Sequence, residues 1–370
     1  FTPYLYIQMI PYCIIYIPFI LSSIFDFDRT SENTKRKIVW LWVCILTVFW
    51  GIRWNCGTDW DNFYDVFQGS DLSNIFTFTR GMAEPIEPGY VLLNALVKSV
   101  GGNYSCFLFV FSFLILYCLA RISFKFTSYP LISFIYLVIS LGVIFPSRQA
   151  LAMGISSYAI PFLIKRRFIK YCFPILIGAT IHISALLLLP FYFINPSKVG
   201  KWLIGGLYIL SFSLGNWLPS IIGSVLNLNL LGPLISIRLN SYSQTVSSID
   251  EDFSSRGTMS IMLSLMFLLY FMVKKYYNDR GKLLSYSFHG FLAMEMIRNI
   301  FMQTMRDLMR LELFFRPYTA ILYAVSFGEL KYSKYKYVSY LVFILLMFYY
   351  FFKMLTGVFS TEYLPYKTIF

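Results

Sequence analysis

Charge is what this chain has least of. Only 13% of its residues are Asp, Glu, Lys or Arg, against 58% hydrophobic ones. Soluble domains carry about 25% charged residues, so the shortfall excludes an ordinary soluble domain. Histidine is nearly missing: His182 and His289 are the two in the chain, too few for a histidine-built metal centre. The cysteines at 13, 44, 56, 106, 118 and 172 stand singly, with no CxxC pair. That excludes a zinc ribbon and a dense disulfide framework, and leaves Cys56 with Cys106 as the one pairing that can meet outside a membrane. Strict alternation is lacking from the apolar runs, which excludes a transmembrane β-barrel. No internal repeat or low-complexity linker interrupts the chain, so residues 1–370 are expected to form a single integral membrane domain.

What is abundant is long apolar sequence. Runs close to the ~20 residues that cross a bilayer fall at 3–24, 38–51, 103–120, 129–145, 147–164, 170–193, 201–214, 217–234, 258–273, 282–303, 311–328 and 337–354. Backbone in lipid must satisfy its own hydrogen bonds, so these runs are helices. The expected fold is all-α, a polytopic transmembrane helical bundle of about twelve spans. The first run has no basic leader or small-residue cleavage site, and reads as a retained helix.

The net charge of +13 invites a nucleic-acid reading, but the basic residues gather in short loops as orientation signals do. Loops around 29–37, 165–170, 274–282 and 331–336 are therefore placed inside. Parity then puts loops 51–103 and 235–257 outside, and makes 88–100 a re-entrant or interfacial helix. It also requires the chain to turn back near Gly215 and Asn216, where GNWLP interrupts the apolar run.

Against this background GIRWNCGTDWDNFYD (51–65) is a polar island. Charge at the mouth of a membrane helix is costly unless it pairs or handles a polar ligand. Arg53 with Asp59 and Asp61 is either a loop-stabilising cluster or a site where carboxylate and guanidinium hold a sugar hydroxyl and an oxyanion. Trp54 and Trp60 offer sugar-stacking faces or belong to the interfacial belt. In EPIEPGY, Glu87 before Pro88 is either a first-turn acid favoured by the helix dipole or a general base, with Glu84 nearby and Tyr90 following. Arg148 and Gln149 open a helix after Pro146. His182, inside an apolar run, is either a hydrogen-bonded core residue or lines a cavity.

Arginine is sorted unevenly. Of 15 arginines, 53, 80, 148, 238, 256, 298, 306, 310 and 316 fall at or near the outer face on this topology. Orientation signals alone do not place them there. Arginine's fork matches phosphate and carboxylate oxygens, so an anionic ligand on the outer side is expected, with Arg256, Arg306, Arg310 and Arg316 as candidates. Asp307 and Glu312 neutralise part of the last cluster, whose bland reading is a charged hairpin turn.

In this order the motifs resemble the Wzy-type repeat-unit polymerases of bacterial surface polysaccharides, in the EpsG-like branch. The likeness rests on Arg53, Gly57, Asp59 and Tyr64, on Glu87-Pro88-Gly89-Tyr90, on Arg148-Gln149, on His182 with Ser184-Ala185, and on Arg310–Phe315. It implies a fold similar to the GT-C-like lipid-linked-sugar glycosyltransferases, in the bacterial inner membrane with the site facing the periplasm. It implies transfer of a glycan from undecaprenyl pyrophosphate to a lipid-linked repeat unit, with no cofactor, no metal and no nucleic acid, and with a Wzz-type chain-length regulator as partner. Glu87, Asp59, Arg53 and His182 are then the catalytic candidates. Arg148, Gln149, Arg256, Arg306, Arg310, Arg316, Asp61 and Tyr90 are the pyrophosphate- and sugar-binding ones. The competing readings are an O-antigen ligase-type transferase, which uses the same donor, a lipid-linked-oligosaccharide flippase, and an O-acyltransferase.

Overall fold

The computed structural model describes residues 3–57, 60–80, 84–141, 145, 147–227, 281–301, 306–330, 334–357 and 360–370. The architecture is helical, apart from a two-residue antiparallel ladder in which β1 (Thr79–Arg80) pairs with β2 (Glu84–Pro85). The chain divides into two compact units, Phe1–Tyr192 with Ala320–Phe370, and Phe193–Thr319.

The larger unit opens with α1 (Pro3–Leu21) and the single turn α2 (Ile24–Phe27), followed by α3 (Glu32–Gly51). Ser31 caps α3 by accepting from the Thr34 amide at 3.2 Å. One face of α3, carrying Val39, Trp42, Val43, Leu46, Phe49 and Trp50, is buried at helical spacing. It packs on α6 (Tyr104–Phe126), and at their junction a Cβ on Gly51 would lie 2.6 Å from the Phe109 ring. Asn103 caps α6. Between α3 and α6 the chain forms α4 (Trp60–Gly69), the ladder and α5 (Pro88–Ser99).

α7 (Pro130–Ile139) is apolar on every side, and all of its residues are buried, as a helix without a polar face must be. Its first turn is satisfied by Asp26, whose Oδ2 accepts from the Ile132 amide at 2.8 Å, with Lys35 3.5 Å from the same carboxylate. The buried acid therefore has both a helix N-terminus and a cation beside it. The unit continues with α8 (Arg148–Ser156), α9 (Ile160–Ile164) and α10 (Phe168–Ile181), then 3₁₀ turns at Ile183–Leu188 and Pro190–Phe193. After the second unit it closes with the end of α14 (Arg316–Glu329), α15 (Lys336–Thr356) and α16 (Ser360–Tyr363).

In the smaller unit α11 (Lys201–Asn227) packs against α12 (Gly281–Phe301), followed by α13 (Arg306–Met309), a 3₁₀ turn at Arg310–Phe315 and the start of α14. The expected turn at Gly215 and Asn216 does not form, because α11 is one continuous helix through that point. Gly215 serves contact instead: a Cβ there would lie 2.2 Å from the Asn299 carbonyl oxygen of α12. Asn299 also donates to the Ser211 hydroxyl across the same interface, at 3.0 Å.

Three stretches among the described residues are long and apolar enough to cross a membrane: Ile7–Phe27, Tyr104–Phe126 and Lys336–Thr356. Shorter apolar helices occupy Pro130–Ile139, Phe168–Ile181, Ile183–Phe193 and Trp202–Leu218. The expected spans 147–164 and 170–193 are each divided into shorter helical pieces. The run 258–273 lies outside the described residues.

Candidate functional site

Three helix ends converge in the larger unit. Glu87 is the N-cap of α5, a position outside the first turn, and its side chain makes no cap bond. It reaches away from its own helix. Oε2 accepts from Arg148 Nη1 at 2.7 Å, and Oε1 accepts from the Ile183 amide at 3.1 Å. Each side chain of the pair keeps 17% exposure, so it is neither sealed in the core nor loose in solvent.

Two glycines make this convergence possible. A Cβ on Gly89 would lie 2.3 Å from Thr180 Oγ1 and 2.8 Å from the Thr180 carbonyl oxygen, so α5 touches the end of α10 directly. A Cβ on Gly178 would lie 2.2 Å from Ser156 Oγ and 2.9 Å from the Ala152 carbonyl, so α10 lies equally close to α8. The EPGY spacing then sets Glu87 opposite the backbone that follows α10.

Arg148 starts α8, with Ser147 capping the helix through the Ala150 amide at 3.2 Å. A cation at a helix N-terminus is opposed by the helix dipole, and Glu87 offsets that. The guanidinium lies 5.4 Å from the Tyr90 ring centre and 5.9 Å from that of Phe63. Nη1 to Glu87 is its one hydrogen bond to the described residues, and the remaining N–H groups of the fork are uncommitted. A helix N-terminus with an uncommitted guanidinium is a place for an anion.

His182 ends α10 with extended backbone. Its Nδ1 accepts from the Ser184 amide at 3.3 Å, starting the following 3₁₀ turn. The residue expected within an apolar span therefore sits at a break between helices, one position from the Ile183 amide that holds Glu87. Gln149 is half-buried beside Arg148, and Tyr90 is buried.

Arg53 takes a different place. It is 3% exposed, its guanidinium lies 4.4 Å over the Phe145 ring, and Nη1 donates to the Cys56 carbonyl at 3.4 Å. No carboxylate among the described residues pairs with it, and its Nε is buried without a partner. Burial alone pulls this guanidinium below its ordinary pKa. The expected pairing with Asp61 is not made, and Asp61 is exposed in the first turn of α4. Asp59 and Arg256 lie outside the described residues.

Sequence reasoning missed the segment that covers Arg53. Residues 363–369 fold back over the 52–57 loop. Ile369 donates to the Ile52 carbonyl at 2.9 Å, and the Trp54 amide donates to the Lys367 carbonyl at 3.0 Å. Tyr366 stacks on Phe49 at 4.5 Å. The aromatic residues of this stretch were the available signal.

In the smaller unit Glu312 is buried between two arginines, with Arg298 Nε 2.9 Å from Oε2 and Arg316 Nη2 on Oε1. Arg298 also reaches Glu295 at 3.0 Å. Arg316 is thus committed to a carboxylate, while Arg310 is exposed. The Arg306 side chain lies outside what the structure describes. Among the described residues no group of His, Cys, Asp and Glu is arranged to hold a metal ion.

Residues 36–368 match the family model described as EpsG family. No curated protein and no solved structure matches the chain.

Proposed function

The chain belongs to the EpsG family, and from that premise we propose that it is a polysaccharide polymerase. In this reading it joins oligosaccharide repeat units carried on undecaprenyl pyrophosphate by glycosyl transfer, releasing undecaprenyl pyrophosphate. The observation that carries the reading is the Arg148–Glu87 pair, a partly exposed guanidinium fixed by a carboxylate and set near the Tyr90 and Phe63 rings, with most of its donors uncommitted among the described residues.

The chemistry follows from those groups. The acceptor hydroxyl oxygen forms the new glycosidic bond to the anomeric carbon as the bond from that carbon to the phosphate oxygen breaks. The hydroxyl proton passes to Glu87, and the electron pair leaves with the diphosphate, whose growing charge Arg148 meets. A fixed cation at a point of developing charge lowers the barrier; loss of one such donor costs about 10²–10³-fold in rate. Gln149, next to Arg148 in the chain, is assigned to sugar contacts, and His182, next to Ile183, is kept as a catalytic candidate. Arg310 is assigned to anion binding on the strength of its exposure. The same reading takes the bundle to hold about twelve spans with a GT-C-like arrangement, the site to face the periplasm, the transfer to need no metal, and a Wzz-type regulator to set chain length.

The test is the glycan ladder of a deletion strain complemented with Arg148→Ala, Arg148→Lys or Glu87→Gln. All three are expected in the membrane at wild-type level, with material stopping at one repeat. Lysine fails with alanine because it cannot hold Glu87 and a phosphate in one planar fork. A wild-type ladder from Arg148→Ala would remove the assignment.

A further inference from the structure

Beyond the Arg148–Glu87 pair, the larger unit carries a recess that the transfer chemistry does not use. It has a volume of about 430 Å³ and lies where the end of α4, the end of α5 and the start of α6 meet. That is within the ~300–1,000 Å³ of small-ligand pockets.

Its walls are aromatic. Trp54 is 37% exposed, and its ring packs edge-on to Tyr64 at 6.1 Å and to Tyr104 at 6.5 Å. Tyr64 is half-buried and stacks on Trp60 at 5.1 Å, which holds its plane. Tyr104 is buried, and its hydroxyl has no hydrogen-bond partner among the described residues. The rim is amide. Asn103 uses Oδ1 to accept from the Cys106 amide at 3.0 Å, which leaves its NH₂ group uncommitted, and Gln68 is exposed alongside.

The recess is built firmly. Lys98 donates to the Gln68 carbonyl at 2.7 Å and to the Ser70 carbonyl at 2.9 Å, tying the end of α5 to the end of α4. The turn into α6 passes through Gly101 at φ 80°, a left-handed conformation that glycine adopts without strain. The lining therefore holds flat apolar faces and uncommitted amide donors. Among the described residues no carboxylate lines it. A pyranose ring matches that set, with C–H faces for the aromatic rings and hydroxyl groups for the amides. An unbroken series of ring contacts, Tyr104 to Phe107 at 6.0 Å and Phe107 to Tyr90 at 5.9 Å, links the recess to the ring under Arg148.

We propose that this recess is a saccharide subsite that seats a pyranose of the glycan chain against the exposed Trp54 ring, beside Tyr64 and the Asn103 amide, while Arg148 and Glu87 act elsewhere on the same molecule. The inference rests on the polymerase reading for which glycan it takes. The test uses the purified full-length protein in detergent and the free repeat-unit oligosaccharide released from the host's own polymer by partial hydrolysis. Saturation-transfer NMR is expected to mark its ring C–H protons.

Trp54→Ala and Asn103→Asp should each weaken binding by about three- to tenfold, the scale of one lost aromatic or polar contact. Asn103→Asp keeps the α6 cap while exchanging the NH₂ donor for an anionic acceptor, so it guards against a folding artefact. Arg148→Ala should bind as wild type does. Absence of transfer, or unchanged affinity in both variants, overturns the subsite. The ladder of Arg148→Ala scores the polymerase reading separately: polymer lost with no oligosaccharide bound sinks the subsite alone, and polymer retained with Trp54-dependent binding sinks the polymerase assignment alone.

Discussion

Arg53 shows what a single side chain can reveal. A guanidinium at 3% exposure with no carboxylate partner among the described residues carries a desolvation cost of several kcal/mol, of which stacking on Phe145 recovers up to about 2 kcal/mol. A residue retained for stability alone would be apolar at this place. Arg53→Met is therefore expected to keep or raise the melting temperature of the purified protein while cutting polymer yield, since Phe145, three positions before Arg148, loses its cation. Arg53→Lys is expected to lose both, because an ammonium group cannot lie flat on the ring. Melting by intrinsic fluorescence alongside the glycan ladder separates these outcomes, and a wild-type ladder from the methionine variant would make Arg53 a packing residue. At this scale the sequence showed which residues matter but not with whom. Glu87 and Arg148 were legible as polar residues at helix starts, 61 positions apart. Their pairing depends on how α10 docks, which no local pattern encodes.

Docking of elements is where glycine carries information that a one-dimensional reading misassigns. GNWLP around Gly215 has the composition of a break, yet Gly215 sits within a continuous α11 because the Asn299 carbonyl occupies the space of its Cβ. The two readings predict opposite signs. If Gly215 only weakened a helix, Gly215→Ala would stabilise by about 0.5–1 kcal/mol. With backbone oxygen at 2.2 Å from the added atom, overpacking of ~1–3 kcal/mol dominates, and the melting temperature should fall. Gly206→Ala is the control, with no atom of the described residues within 4 Å of its Cβ, and should leave the protein unchanged or more stable. Gly89→Ala is expected to be destabilising and inactive together, because the clash with Thr180 pushes Glu87 away from Ile183 and Arg148. Helix identity for α3, α6, α15 and α5 was legible from apolar length and the polar residues that bound each run. The divided segments after Pro146 were not, since apolar composition there is the same in a long helix and in short ones.

For the molecule in its membrane, the larger unit fixes which ends share a side but not which side that is. α3 ends and α6 begins at the same end of the unit, with Trp54 and Tyr104 in ring contact, and Lys98 ties α5 to α4 there. At 12 residues, α5 measures about 18 Å, short of the ~30 Å hydrocarbon core. On the proposed topology it is the re-entrant or interfacial helix that the charge pattern calls for, and the Glu87–Arg148 pair and the aromatic recess would share its side. Only the basic loops orient it. In a background stripped of the six native cysteines, of which Cys44 and Cys106 are exposed, the exposed positions Ser73, Ser99 and Ser128 report the answer. Ser73→Cys and Ser99→Cys are expected to react with a membrane-impermeant maleimide in intact cells, and Ser128→Cys, beyond the far end of α6, only after permeabilisation. The reverse pattern would turn the guanidinium and its recess toward the cytosol. A lipid-linked glycan presented on the outer leaflet could not then reach them, and the polymerase reading would fail whatever the residues themselves can bind.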